Sequence, residues 1–363
     1  MGTGLFYPEV NQQDNFKAKM SQIGNNTGNN VFWYALRHLL ELEKIPYNYK
    51  ETDYDLNKLD SIITTDLIWI RQGDSFVYLD KLIDELKIPL IPISVGLQAD
   101  SYDVNFKISD ETVRLLKKIE ERAVMGVRGE YTASILEKHG IRQFAVIGCP
   151  SMYYWNNPEL KIDCNVKYPQ KILCNFKTFY GKLNQKEKHF LAYMTDRKAT
   201  FIEQTIHEMK QEQIDDEAYY KYVTEGLLKN KKIFFTITSW LEETCTYDFS
   251  IGPRFHGNVV SLWNNIKALF MTVDSRTKEL VNHFKLPSIS MQEFDRFKPI
   301  EYYYNKADYS DFHKTYSKCV DEFQAFLVIN DLKIKSNTMK MQFANTSSMK
   351  DCYIKNMSRK NTV

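Results

Sequence analysis

Short apolar runs alternate with amphipathic helical stretches along most of this chain of 363 residues. An apolar run of about four to eight residues is typical of a buried strand, whereas apolar residues spaced three and four apart are typical of a helix. Alternation of the two predicts βαβ units and therefore parallel sheets. The predicted strands are 67–70, 89–96, 123–127 and 144–148, followed by 171–176, 233–237, 247–252 and 268–273.

The alternation falls into two halves of similar size. A polar stretch with proline and asparagine, residues 154–168, separates them, and 363 residues exceed the usual size of one compact domain. We therefore predict an α/β fold of two Rossmann-like domains facing a cleft, with ligands at the carboxyl ends of the strands. The expected domains are 1–165 and 166–330, followed by a polar C-terminal tail over 331–363.

Composition argues against several classes of function. The 48 basic and 46 acidic residues leave a net charge of only +2, which disfavours nucleic-acid binding. No run reaches the roughly 18 apolar residues of a transmembrane helix, and no signal peptide is visible, so we expect a cytoplasmic protein with peripheral membrane contact still open. Six cysteines without a C-x-x-C pair predict no metal site. An aromatic content of 14% accompanies sugar-binding clefts and ordinary packing alike.

The strongest candidate for a functional site is GPRFHGN at 252–258, which follows a predicted strand and opens a helix. A helix N-terminus offers unpaired N–H groups to anions. Arg254 adds a guanidinium suited to carboxylate or phosphate oxygens, and His256 adds a proton donor that titrates near neutral pH. Gly257 lets a ligand approach the backbone closely. An isolated arginine or histidine is usually structural, but the combination favours an anion site with acid–base chemistry.

Polar residues recur in the turns after other predicted strands. In the segment 274–280, Asp274 suits a helix N-cap, and Arg276 is either a ligand or a solvated residue of the first turn. The glycine- and asparagine-rich loop 24–30 either presents N–H groups to an anion or is a simple turn. Each turn alone is better explained as structure, but their recurrence predicts a lined cleft. The substrate-binding candidates are Arg128, Gly257, Asn258, Arg276, Asn25, Asn29, Asp74, Gln98 and Glu279.

Several of these motifs resemble those of the polysaccharide pyruvyl transferase family. The segments VRGEYTA at 127–133 and VIGCPS at 146–151 are similar to the paired VRGxxT and GxPS motifs of that family. The segment IGPRFHGN at 251–258 is similar to its RxHG motif, and DSRTKEL at 274–280 to the usual continuation. The resemblance runs loosely from residue 24 to residue 289 and is tight only in these short motifs.

The resemblance implies a fold of the glycosyltransferase-B type and a ketal-forming transfer of the enolpyruvyl group from phosphoenolpyruvate to a sugar, in the biosynthesis of a bacterial capsule or exopolysaccharide. The N-terminal domain would hold the acceptor and the C-terminal domain the donor. Arg254, Arg128 and Arg276 would bind the anionic donor, and His256 would protonate C3 of its enol ether. Asp74 and Glu130 are candidates for the base. Phosphoenolpyruvate is a substrate, so neither a cofactor nor a metal is expected.

Other functions stay open on the sequence alone. A glycosyltransferase of the same fold would bind a nucleotide sugar, with Glu279 on the ribose. A sugar-binding protein without catalysis would have little need for His256 beside an anion site. A nicotinamide-dependent dehydrogenase is disfavoured because no G-x-G-x-x-G occurs. Lipid-linked, nucleotide-linked and polymeric sugar acceptors are equally compatible with the sequence.

Overall fold

The computed structural model describes residues 2–8, 10–47, 49–177, 182–205, 210, 212 and 216–336. Its N-terminal half contains a parallel sheet with strands in the order β2-β1-β3-β4 and a parallel pair β5-β6. Val95, which follows β4, pairs with Val127 of β5, so the pair continues the sheet. The strands are β1 (Thr3–Phe6), β2 (Leu42–Ile45), β3 (Ser61–Thr64), β4 (Leu90–Pro92), β5 (Met125–Val127) and β6 (Phe144–Val146). The helices are α1 (Phe16–Gln22), α2 (Asn29–Leu39), α3 (Val77–Glu85), α4 (Asp110–Glu120) and α5 (Glu130–Lys138).

The C-terminal half contains a second parallel sheet, with strands in the order β11-β10-β9-β7-β8. Its strands are β7 (Ile172–Cys174), β8 (Thr200–Phe201), β9 (Phe249–Gly252), β10 (Ala268–Thr272) and β11 (Ser288–Ser290). Its helices are α6 (Gln185–Asp196), α7 (Glu217–Gly226), α8 (Ile237–Thr244), α9 (Phe255–Trp263), α10 (Ser275–Phe284), α11 (Ile300–Lys306) and α12 (Ser310–Ile329). Two parallel sheets covered by helices confirm the predicted α/β class with two Rossmann-like halves.

The last helix joins the two halves. α12 begins in the C-terminal half, and its Phe323 stacks on Tyr153 with ring centroids 4.1 Å apart. Asn330, just past the end of α12, accepts a hydrogen bond from the N–H of Val124 and donates one to its carbonyl, next to β5. One apolar core cluster accordingly contains residues of α2, β9 and α12 together. None of the helices in the described part of the chain is long and apolar enough to cross a bilayer.

Two predicted strands are wrong. Residues 67–69 lie in a turn after β3 and Ile70 makes only an isolated bridge with Leu97, because the preceding residues Ser61–Thr64 take the place in the sheet between β1 and β4. Residues 233–237 contain a bend and the start of α8, where Thr236 is the N-cap and accepts from the N–H of Ser239. Five strands of the described ranges are missing from the prediction: β1, β2, β3, β8 and β11, of which β8 has only two residues. The predicted domain limits at 165 and 330 stay predictions, and residues 337–363 of the predicted tail lie outside the described residues.

The start of α10 docks on the N-terminal half. The Ser275 hydroxyl donates to the carbonyl of Leu97 at 2.8 Å and accepts from the N–H of Ala99 at 2.9 Å. Glu279 accepts from the N–H of Thr132 at 2.6 Å and from its hydroxyl at 2.9 Å. The carboxylate thus satisfies an N–H group in the first turn of α5, which no intrahelical carbonyl can reach. Gly129 permits this approach, since a Cβ atom there would lie 2.3 Å from Cγ of Glu279.

We expect Glu279 to make the stability of the protein pH-dependent. Burial raises the pKa of Glu279 to about 7, against the lowering effect of the Thr132 hydrogen bonds. The folded state therefore holds this proton more tightly than the unfolded state, so unfolding becomes easier as the pH rises from about 4.5 to 7. The full effect is roughly 3 kcal/mol at about 1.4 kcal/mol per pH unit. Glu279→Gln, which is neutral throughout, should gain stability relative to the wild type over that interval in urea unfolding.

The matched control is Glu111→Gln, which removes an exposed carboxylate from α4. Its difference in unfolding midpoint from the wild type should change little between pH 5 and pH 7.5. A pH-independent difference between Glu279→Gln and the wild type would contradict the assignment of a buried, proton-binding Glu279.

Candidate active site

A cleft of ≈ 1190 Å³ lies between the carboxyl ends of the two sheets. Residues after β4 line it from the N-terminal half, and residues after β7, β8, β9 and β10 line it from the C-terminal half, which is where parallel sheets usually hold their ligands. Four of the predicted site residues are in its wall: Asn25, Gln98, Arg254 and Arg276. The other predicted residues lie behind the wall or elsewhere.

The turn after β9 places Arg254 at the start of α9. Gly252 has a φ of +145°, and a Cβ atom there would lie 2.1 Å from the carbonyl oxygen of Asn175, so only glycine fits. The N–H of Arg254 donates to that same oxygen at 3.1 Å. Arg254 is the N-cap residue, and its side chain does not cap the helix. α9 thus begins at the wall of the cleft, where the helix dipole favours an anion.

His256 lies in the first turn of α9 and is half-buried. Its ring is 5.6 Å from that of Phe32 on α2, and its Nε2 atom is 3.5 Å from Sγ of Cys149. Burial and, to a smaller extent, the positive charges of Arg128, Arg276 and Arg254 together lower the pKa of His256 to about 3. Without an anion beside it, the imidazole is therefore neutral at pH 7.

Arg128 is buried directly behind the cleft wall. It follows β5, only 5% of its surface is exposed, and its Nε atom donates to the Ser94 hydroxyl at 3.2 Å. Burial lowers the pKa of Arg128, and the charge of Arg276 acts in the same direction, whereas nearby Glu279 raises it. Arg128 therefore brings a positive charge from the N-terminal half to the same place as the arginines of the C-terminal half.

Arg276 is fixed by its neighbour Asp274. The guanidinium donates to one carboxylate oxygen through Nη2 at 2.8 Å and through Nε at 3.2 Å. Asp274 is the N-cap of α10, as predicted, and accepts from the N–H of Thr277 at 2.9 Å. Although burial alone would raise it, the pKa of Asp274 is lowered by Arg276 and Thr277. The pair keeps Arg276 in the cleft wall with part of its charge balanced.

Several predicted ligands have structural contacts in the structure. Asn258 is fully buried, accepts from the Ser250 hydroxyl and donates to the carbonyl of Gly252. Asn29 donates to the carbonyl of Ile23 at 3.0 Å. Asp74 accepts from the N–H of Arg71 at 2.8 Å. Together with Glu279, these residues hold turns and helix ends near the site, and none of them lines the cleft.

Sequence reasoning missed a second row of polar side chains behind α9. Gln204 and Asn175 are 2% and 0% exposed, and within the described ranges neither Nε2 of Gln204 nor Oδ1 of Asn175 has a hydrogen-bond partner. Both atoms lie against Gly257, and Oε1 of Gln204 also lies against Gly28. Buried polar atoms without partners are rare and call for a ligand or water. Gln204 follows the two-residue strand β8, where the sequence shows no recognisable pattern.

We expect Gly257→Ala to disturb this row. A Cβ atom on residue 257 would lie 1.9 Å from Oδ1 of Asn175 and 2.8 Å from Nε2 of Gln204. Asn175 cannot move freely because its Nδ2 atom donates to Ser250 and Asn258. Overpacking of this kind typically costs about 1–3 kcal/mol, which thermal unfolding detects. The control Gly2→Ala, whose Cβ atom would have its nearest neighbour at 3.7 Å, should unfold like the wild type; equal stability of both variants would contradict the packing.

Comparison of the structure with solved structures finds distant similarities. The MnaA protein of S. aureus, in a structure with UDP, has a TM-score of 0.43 at 11% identity, over 91% of this chain and 98% of its own. UDP-GlcNAc 2-epimerase from Neisseria meningitidis gives 0.41 at 11% identity, over 90% and 100%. HepE of Anabaena, in complex with UDP and glucose, gives 0.38 at 12% identity, over the full length of both. No match was found among curated protein sequences.

The sequence itself gives a closer assignment. The family model for polysaccharide pyruvyl transferases matches residues 26–275, which is well over half of the 363 residues. The matched range includes the loop around Asn26, Arg128 after β5 and the whole of α9, and it ends at Ser275 in the start of α10. The chain therefore belongs to the polysaccharide pyruvyl transferase family.

Proposed function

We propose that this protein transfers the enolpyruvyl group of phosphoenolpyruvate to two hydroxyl groups of a sugar, forming a cyclic pyruvate ketal in the biosynthesis of a bacterial surface polysaccharide. The observation that carries the proposal is the convergence of Arg128, Arg254 and Arg276 on the half-buried imidazole of His256. Three guanidinium groups beside a helix N-terminus suit a small ligand with several negative charges.

Phosphoenolpyruvate carries a phosphate and a carboxylate, and the site offers donors for both. Arg254 and Arg276 line the cleft, where their planar guanidinium groups bind oxygen pairs. The first N–H groups of α9 add donors at a positive dipole end. Arg128 lies behind them and contributes its charge from the buried side. The unpartnered amide of Gln204 is a further donor close to Gly257.

The proposed reaction begins with protonation of the enol ether. His256 gives its proton to C3 of phosphoenolpyruvate, which becomes a methyl group, and positive charge develops at C2. One sugar hydroxyl adds to C2 and loses its proton. A second hydroxyl then adds to C2 as the C2–O bond to phosphate breaks, and its proton leaves with the phosphate as the ketal closes. His256 must carry a proton for the first step. The negative charge of the bound donor favours the protonated imidazole, since a nearby anion raises the pKa of an imidazole.

The alternative of a glycosyltransferase acting on nucleotide sugars has weaker support. This alternative requires Glu279 to bind the ribose. Both carboxylate oxygens of Glu279 accept hydrogen bonds from Thr132. Glu279 is also 1% exposed, which leaves it behind the wall of the cleft.

The proposed scheme uses no metal and no cofactor. The expectations that neither is needed stay predictions, as does the expectation of a cytoplasmic location.

We expect phosphoenolpyruvate to stabilise the protein through Arg254. A ligand at a hundred times its dissociation constant adds about 2.7 kcal/mol, which raises the melting temperature by several degrees. Arg254→Ala should lose most of this shift. Arg114→Ala, which removes an exposed arginine from α4 outside the cleft, should keep it. A shift with UDP-sugars alone, or an equal shift in Arg254→Ala and the wild type, would refute the proposal.

We also expect binding of phosphoenolpyruvate to take up a proton at His256. The pKa of His256 is about 3 in the free protein, and a bound anion raises it, so the imidazole binds more protons in the complex than in the free protein. Calorimetric titrations in buffers of different ionisation enthalpy measure this uptake directly. His256→Gln should take up fewer protons than the wild type, a difference that corrects for the titration of the ligand itself. Identical uptake in both proteins would exclude His256 as the proton carrier.

A further inference from the structure

A second cavity of ≈ 440 Å³ lies in the N-terminal half, apart from the cleft. We call it the tyrosine pocket, because Tyr47, Tyr49 and Tyr78 line it together with Phe6. Its volume falls within the range of about 300 to 1,000 Å³ that is usual for small-molecule sites. It shares no lining residue with the cleft between the two sheets.

The tyrosine pocket lies at the carboxyl edge of the N-terminal sheet. Phe6 is the last residue of β1, Tyr47 and Tyr49 come just after β2, and Thr64 is the last residue of β3. These three strands are neighbours and run parallel. The carboxyl edge of an open α/β sheet is where such folds bind ligands, so the position of the pocket favours a binding site over a packing defect.

Polar groups converge beneath the aromatic rings. Asp66 accepts from the Thr64 hydroxyl at 3.2 Å, and burial together with the nearby Asp66 carboxylate raises the pKa of the Tyr78 hydroxyl. Tyr47 and Tyr78 are 59% and 56% exposed, which is unusual for such large aromatic side chains and puts both of them within reach of a ligand. A few oriented oxygen atoms among exposed aromatic surfaces are the general form of a site for a small polar molecule.

The chemistry of the lining selects a neutral polyhydroxyl ligand. The carboxylate of Asp66 and the tyrosine and threonine hydroxyls pair with alcohol groups. The negative face of an aromatic ring packs against the C–H groups of a sugar ring, which carry partial positive charge. Lys50 and Lys81 also line the pocket, and Lys50 forms an ion pair with Glu85 at 3.0 Å. Charges of both signs are therefore present, and a strongly charged ligand has no preferred partner there.

One turn connects the tyrosine pocket to the cleft. Asp66 lines the pocket and Trp69 lines the cleft, and three residues span at most about 11 Å between their Cα atoms. The indole N–H of Trp33 donates to the hydroxyl of Thr65 in the pocket at 3.1 Å. The neighbouring Phe32 contacts the ring of His256, with centroids 5.6 Å apart. The two places are therefore close enough for an acceptor of several sugars to span them.

We propose that the tyrosine pocket binds a neutral sugar ring of the acceptor, adjacent to the ring that receives the pyruvyl group in the cleft. The role of that ligand as an acceptor rests on the function proposed above, whereas the binding of a neutral sugar ring rests on the pocket alone. The proposal gives a binding function to some of the 23 tyrosines of the chain.

Saturation-transfer NMR with simple sugars tests the proposal. The probes are the methyl glycosides of galactose, glucose, mannose and N-acetylglucosamine, each with the full chain. We expect transfer to at least one of them, reduced fivefold or more in Tyr78→Ala and in Asp66→Asn. Tyr168→Ala, which removes a tyrosine that is 58% exposed outside the pocket, is the matched control and should leave the transfer unchanged. Tyr78→Phe, which keeps the ring, separates the loss of stacking from the loss of the hydroxyl.

The outcomes separate this proposal from the proposed function. Absence of transfer to all four glycosides, or transfer that Tyr78→Ala and Asp66→Asn leave unchanged, would overturn the tyrosine pocket as a sugar site. Displacement of the sugar by phosphoenolpyruvate would also overturn the tyrosine pocket as a separate sugar site, because the donor belongs in the cleft. If phosphoenolpyruvate fails to raise the melting temperature while the sugars still bind at Tyr78, the proposed reaction fails and the sugar site stands.

Discussion

Repulsion among positive charges at the start of α9 is the constraint on which the rest of the site depends. Arg128, Arg254 and Arg276 all act on His256, and burial prevents water from screening them fully. The protein offsets part of the charge, since Asp274 binds Arg276 at 2.8 Å. The imidazole of His256 stays neutral and so adds no further positive charge. An arrangement of this kind costs free energy in the free protein, and an anionic ligand returns that free energy on binding.

The charges come from both halves of the chain, so the site depends on how the halves dock. Arg128 follows β5 of the first sheet, whereas Arg254 and Arg276 follow β9 and β10 of the second. Ser275 and Glu279 hold the start of α10 against residues of the first half. Ser275 and Glu279 both lie within α10, as does Arg276. The contact that joins the halves therefore also positions one of the arginines of the anion site.

The sequence was sufficient for the parts of the site that are encoded locally. The turn after β9 is predicted by the order of glycine, arginine, histidine and glycine between a strand and a helix. The structure has Arg254 as the N-cap of α9. The same reasoning could not separate ligands from structural residues. Asn258 and Glu279 have the right chemistry for a ligand, but their partners, Ser250 and Thr132, come from other elements. Which residues become partners is decided by tertiary packing, which no local pattern encodes.

Long-range proximity also explains what the sequence did not predict. Gln204 follows a strand of two residues, too short for a periodic pattern, and reaches the site only because its backbone pairs with the loop at Thr27. The tyrosines show the same dependence on tertiary packing. Composition alone does not distinguish Tyr316, which is completely buried in the core, from Tyr78, which is 56% exposed beside a carboxylate. The fold divides one residue type between packing and an accessible surface, and only the accessible part can take a role in binding.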